Sequence, residues 1–348
     1  MSQDNTLFIR DLNQVIDEVL EQIEDDQYMS NPQFYNFIVN LINDICKKMS
    51  YRKESPEKQM VVIQEDRMFE IALDFFKSID IELYNKADAI FNDRYSNTKT
   101  YIFDSHKDDP DHMLFYFTMY QEGAAKVYLP LGYGLSKEER ERIILEYGED
   151  YYTLDDLYSI VHEASHLFDI KPEDYRIKPL KTRDVLTEVT PYIFEAMLTE
   201  YLLKEGSFNE SAIREKENDI NNKLLTHAHI GRIKLKFLEL KRKKGEITEE
   251  DISSMMGQDM LSEEEFVNVI NLVVNSGVSL IENRRYAFAG MYAPIIHQKC
   301  KTSPNKMLLQ KYLDECSQNI PYTDILSAFG IDLRNVSNGF KNDGNIEK

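Results

Sequence analysis

Between residues 8 and 23 apolar side chains fall at Phe8, Leu12, Val15, Ile16, Val19, Leu20 and Ile23. Steps of three and four put them on one stripe of a helix. A second helix is expected from "NPQFYNFIVNLINDICKKM", where Asn31 precedes Pro32 and the apolar positions again keep a helical period. "MFEIALDFFKSI" and "NKADAIFNDRY" repeat the pattern, so residues 1–100 read as a helical lobe that supplies walls and packing. The pattern changes between 101 and 130. "YIFDSHKDDPDHMLFYFTMY" and "AAKVYLPL" are rich in Tyr, Phe and Val and are broken by Pro, Asp and Gly, which predicts a small sheet. Gly132 and Gly134 in "PLGYGLS" mark a turn.

Helical periodicity returns at 153. Thr153 and Asp156 stand in the spacing of a capping box, and Leu157, Ile160, Val161, Ala164 and Phe168 form a buried stripe, predicting a helix over 153–168. Another covers about 188–204, and because Pro191 is tolerated only in a first turn it must begin close to Glu188. Residues 209–245 read as a long polar helix ending in "KRKKGE", exposed and a candidate lid. "MLSEEEFVNVINLVVNSGVSLI", 284–300 and 304–314 complete a mainly α chain with one small β-sheet, and "NGFKNDGNIEK" reads as a loose tail. There is no internal repeat. The expected organisation is a helical N-terminal lobe, 1–100, facing a second lobe, 101–348, within one unit.

Composition narrows the function classes. The 348 residues are 42% hydrophobic and 29% charged, ordinary for a chain that buries a sizeable core. A formal charge of −20 disfavours nucleic acid and anionic membranes as partners. The N-terminus carries acids where a signal peptide needs a basic region, and no window approaches a membrane span, so the expected location is cytoplasmic. Cys46, Cys300 and Cys316 are few and far apart, consistent with reduced thiols.

The candidate chemistry lies in "SIVHEASHLFDI" at 159–170. His162 and His166 are one helical turn apart on the same face, and neutral imidazoles so placed both reach one zinc ion. Glu163 is rotated about 100° from them, beside the metal without ligating it, which is the logic of His-Glu-x-x-His. A catalytic zinc takes three protein ligands and keeps an open position. His227 and His229 project to different sides of a helix, so a carboxylate is the better third ligand. Glu188 opens the next helix, which can pack antiparallel to the first. It reads either as that ligand or as an acid favoured by the helix dipole. Glu195, seven residues on, reads either as a hydrogen-bond partner of a ligand histidine or as a salt-bridge acid. No Gly-x-Ser-x-Gly elbow, phosphate-binding loop or supported Cys/His pair competes with this constellation.

These residues resemble a family. "LDDLYSIVHEASHLFDI" at 154–170 is similar to the zinc helix of the oligopeptidase F and thimet oligopeptidase metallopeptidases, and "EVTPYIFEAMLTEYLL" at 188–203 to the Glu-containing helix that follows it. "YLDECSQNIPYTDILSAFGIDL" at 312–333 resembles the C-terminal segment of the oligopeptidase F branch, and "YAFAGMYAPII" at 286–296, more loosely, its Tyr-rich stretch. The resemblance spans about 101–335 and implies a zincin-type metallopeptidase fold. It implies a Zn2+ cofactor on His162, His166 and Glu188, and Glu163 as general base toward zinc-bound water. Glu195 would support a ligand, and Tyr286 or Tyr292 would donate to the oxyanion. The implied activity is hydrolysis of short unstructured peptides, with "AAKVYLPL" as the sheet edge that pairs with substrate. Two departures stand out: Ser165 occupies the position where the family usually has Gly, and the chain is shorter than most members. They leave an alternative in view, a non-catalytic metal- or peptide-binding protein that keeps the fold. A zinc hydrolase acting on another amide is a further one.

Overall fold

The computed structural model describes residues 3–26, 29–52, 60–92, 100–108, 117–121, 124–168, 185–256, 261–275, 277–302, 307–318 and 322–331. The expected tail at 338–348 lies outside them. Among the described residues the chain is mainly helical with two small sheets. It opens with α1 (Gln3–Asp25), α2 (Pro32–Lys48), β1 (Val62–Gln64), α3 (Glu65–Ile79) and α4 (Ile81–Asn92). β2 (Thr100–Asp104), the single turn α5 (Ser105–Asp108), β3 (Phe117–Gln121), β4 (Ala124–Leu131) and α6 (Lys137–Glu146) follow. Next come β5 (Tyr151–Thr153), α7 (Leu154–Ser165), α8 (Val189–Glu205) and α9 (Glu210–Lys244). The last elements are α10 (Glu249–Met256), α11 (Glu263–Asn275), α12 (Leu280–Thr302), α13 (Met307–Ser317) and α14 (Tyr322–Ala328). No described helix is long and apolar enough to cross a membrane.

The chain divides into two compact units, and the division differs from a boundary at residue 100. One unit holds Met1–Arg52 and Ile220–Met291; the other holds Lys53–Asp219 and Tyr292–Asn335. The helices expected to form one N-terminal lobe are thus split, α1 and α2 in the first unit and α3 and α4 in the second. Periodicity reveals each helix but carries no information about which distant helix covers its apolar stripe.

In the first unit the stripe of α1 is buried at Leu12, Ile16, Val19 and Ile23, and α1 packs on α11. Asn31 caps α2, its side chain accepting from the Gln33 and Phe34 amides at 2.9 and 3.4 Å, with Pro32 in the first turn as expected. The α9 segment in this unit is not the exposed lid its polarity suggested. Ile230, Ile233, Leu235 and Phe237 are buried, and so are Arg232 and Lys234. Gly231 permits the close approach, because a Cβ there would stand 3.0 Å from the Asn283 Cβ and 3.2 Å from Ile42 Cδ1.

In the second unit β2, β4 and β3 form a sheet in that order. β2 runs parallel to β4 with Thr100 opposite Val127, and β3 runs antiparallel to it with Phe117 opposite Tyr128. "AAKVYLPL" is therefore the central strand and not the expected edge, since both its flanks are occupied. A two-stranded antiparallel pair joins β1 and β5, with Ile63 opposite Tyr152, and each strand runs straight into a helix, α3 and α7.

Asp156 fixes where α7 begins. It is 3% exposed, and its Oδ2 accepts from the Thr153 amide and hydroxyl, both at 2.9 Å. Its Oδ1 accepts from the Gly132 amide at 2.9 Å, in the turn after β4, where φ is +75°. One carboxylate thus ties the helix start to the sheet. Asp156→Ala would strand buried amides that each cost about 1–3 kcal/mol. The expected loss is about 3 kcal/mol, read as a lower urea midpoint at unchanged slope. An unshifted midpoint would show that this tie adds nothing to stability.

Candidate metal centre

α7 is buried on nearly every side: Leu154, Asp156–Tyr158 and Ile160–Ser165 are all buried. The predicted stripe is correct, but the polar residues between its members are covered as well. The α-helix ends at Ser165, and tighter bonds from Leu167 N to Ala164 O (3.1 Å) and Phe168 N to Ser165 O (3.1 Å) carry the chain through His166. Lys86 of α4 donates to the Phe168 carbonyl at 3.1 Å, closing this end. Phe168 also packs edge-on against Phe76 of α3 (centroids 4.9 Å) and against Phe194 of α8 (5.3 Å). Rings from two helices thus pack on Phe168 and hold the turn that carries His166. Ser165 is fully buried and its hydroxyl donates to the His162 carbonyl at 2.7 Å, within its own helix.

α8 begins where Pro191 required, with Glu188 at its N-cap. It packs on α7, and the two helices bring four of the sequence-selected residues together. The donor atoms of His162, His166 and Glu188 all lie within 4.8 Å of one another. His162 Nε2 is 3.3 Å from Glu188 Oε2, and His166 Nε2 is 4.0 Å from Glu188 Oε1. The two imidazoles stand edge to face, with centroids 5.1 Å apart and planes at 78°. Glu195 reaches His162 from the other side, its Oε1 2.8 Å from Nδ1, while its Oε2 is buried with no hydrogen-bond partner among the described residues. Tyr192, between the two glutamates, packs edge-on against His162 at 5.6 Å.

The donor set fits a divalent cation. Ligands at about 2.0–2.2 Å from a tetrahedral ion stand roughly 3.3–3.6 Å apart, close to the His162–Glu188 spacing and within a small movement of the others. Nδ1–H of His162 donating to Glu195 leaves the Nε2 lone pair facing Glu188. A carboxylate 3.3 Å from that nitrogen calls for positive charge between the two, supplied by a proton or by a metal cation. The same demand appears in the His162 pKa. Burial lowers it, but hydrogen bonds to Glu188 and Glu195 and the charges of Glu195 and Glu163 outweigh burial and push it up to about 10. Glu163 is 5% exposed.

The tyrosines are placed differently. Tyr286 falls in the first unit, its ring stacked on His227 with centroids 3.8 Å apart and Lys223 Nζ 5.3 Å from its centre. Tyr292 falls in the second unit and is 1% exposed. Burial, with Tyr322 adding to it, raises the Tyr292 phenol above its ordinary value. Sequence reasoning overlooked Tyr158 and Tyr192. Tyr158 precedes His162 by four residues, so the spacing that pairs the two histidines was also the signal for it.

No protein-family model matches the chain, and no curated protein matches it. Among solved structures it is similar to the crystal structure of a "putative peptidase" from Chlamydophila abortus, at 15% identity and a TM-score of 0.58. The match covers 96% of this chain, which spans 60% of the length of that protein. The likeness is one of fold.

Proposed function

We propose that the protein is a zinc-dependent metallopeptidase of the oligopeptidase F and thimet oligopeptidase type that cleaves short unstructured peptides. The observation that carries this reading is the convergence of His162, His166 and Glu188 donors within 4.8 Å, with Glu163 next to His162 on the same buried helix. The fold shared with a protein described as a peptidase adds support.

In this reading His162, His166 and Glu188 hold the cation, and Glu195 keeps His162 in the tautomer that presents Nε2. A divalent cation so held supplies Lewis acidity, drawing charge from a carbonyl oxygen and making water a better acid. The Glu163 carboxylate takes the proton of the water that attacks the scissile carbonyl and returns it to the leaving nitrogen. Tyr292, which falls in the same unit as the three donors, is the proposed donor to the oxyanion. An extended peptide would lie along the outer flank of β3, the edge strand that packs against α7. The binding-protein alternative drew on the short chain and on Ser165, whose hydroxyl is taken up by the His162 carbonyl within its own helix.

The test is digestion of a mixed peptide library by the zinc-loaded protein, read by mass spectrometry, with and without a chelator. Cleavage that the chelator stops and zinc restores is expected. A zinc-bound protein that leaves every peptide intact would turn the reading to peptide or metal binding.

A further inference from the structure

α7 and α8 meet along a polar seam in which Tyr158, His162 and His166, spaced by four, face Thr199, Glu195 and Glu188 in antiparallel order. Two rungs of this seam belong to the metal centre. The remaining rung lies one turn away: the Tyr158 hydroxyl is 2.8 Å from Thr199 Oγ1, and Thr199 Oγ1 donates to the Glu195 carbonyl at 3.0 Å. Tyr158 is 1% exposed and Thr199 4%, so the bond is shielded from water. Lys216, whose Nζ lies 5.7 Å from the Tyr158 ring centre and 2.6 Å from Asp155 Oδ1, packs beside it.

We propose that Tyr158 and Thr199 are positioning residues for the metal centre, setting the register of α7 against α8 so that Glu188 and Glu195 meet His162. The inference rests on the metal-centre reading above. The physical ground is that ring and apolar contacts, such as those of Tyr192 on His162 and Phe194 on Phe168, resist separation better than sliding. A directional hydrogen bond penalises a slide of a fraction of an ångström. The other two rungs are the histidine–carboxylate contacts of the metal centre itself. The Tyr158–Thr199 bond therefore pre-arranges donors that would otherwise be ordered by the metal. Its chain of hydroxyls also ends on the Glu195 main chain, which supports the acid that holds His162.

The substitutions are close to isosteric. Tyr158→Phe removes only the hydroxyl, Thr199→Val removes the other partner, and Thr199→Ser keeps the hydroxyl while losing a methyl. Zinc affinity is measured by competition with a chromophoric chelator, beside the thermal midpoint of each metal-free variant. Tyr158→Phe and Thr199→Val should each weaken zinc binding by about tenfold, the range of groups that orient ligands. The double variant should be little worse than either single one, and Thr199→Ser should bind as the native protein does. If Tyr158→Phe lowers the thermal midpoint but binds zinc as tightly as the native chain, the bond is only structural and the inference is overturned. A native protein that takes up no metal overturns the metal centre, and this inference with it.

Discussion

Glu188→Ala is expected to empty the metal centre. Zinc bound after gel filtration should fall from about one equivalent to less than about a tenth, since even groups that merely orient ligands change affinity by about 10–100-fold. Glu188 supplies the only carboxylate among the three donors, and it is the atom pair closest to His162 Nε2, at 3.3 Å. Two imidazoles without it retain no anionic ligand to offset the cation. The substitution is a clean test because Glu188, although at the N-cap of α8, makes no side-chain cap hydrogen bond, so its loss does not uncap the helix. The variant also loses the buried contact with His162, so the thermal midpoint of the metal-free protein is measured beside its zinc content. Glu188→Gln keeps the shape and loses the charge, so retained zinc in Gln but not Ala would assign the effect to coordination geometry. Full zinc stoichiometry in Glu188→Ala would remove Glu188 from the ligand set.

Local features were legible in the sequence because they depend on neighbours in the chain. The period of α1, the Asn31-Pro32 start of α2, the Thr153–Asp156 pairing and the limit that Pro191 sets on α8 are written within a few residues. The His162, Glu163 and His166 spacing is local too, and Glu188 followed from it because the next helix must begin there. What failed was long-range. The central place of β4 depends on β2 and β3 both pairing with it, and alternating residues do not reveal how many partners a strand has. α9 reads as polar, yet buries Arg232 and Lys234, because the helices around it supply cover that its own composition cannot announce. Periodicity is likewise silent on how a chain divides into units, and the first hundred residues contribute to both.

Glu163→Gln should abolish turnover and keep the metal. Glutamine matches glutamate in shape but cannot accept a proton at neutral pH. The water that attacks the amide then has no base, and the leaving nitrogen no acid. Proton transfer of this kind is worth about 10²–10⁴ in rate, and both halves of the reaction use the same carboxylate, so a fall of about 10³ or more in kcat is expected. That corresponds to roughly 4 kcal/mol of barrier. Metal retention follows from geometry, because Glu163 is not among the three donors that lie within 4.8 Å of one another. Replacing it leaves the cation's three donors and the orienting Glu195 in place. Glu163 is buried, so the thermal midpoint must be measured beside the rate to separate lost chemistry from lost fold. A Glu163→Gln protein that binds zinc, melts like the native chain and still cleaves within about tenfold of its rate would remove Glu163 from the chemistry, since general-base catalysis cannot be lost at so small a penalty. A protein that binds zinc and is inert would leave the proton at Glu163, where the buried helix holds it beside the metal ligands.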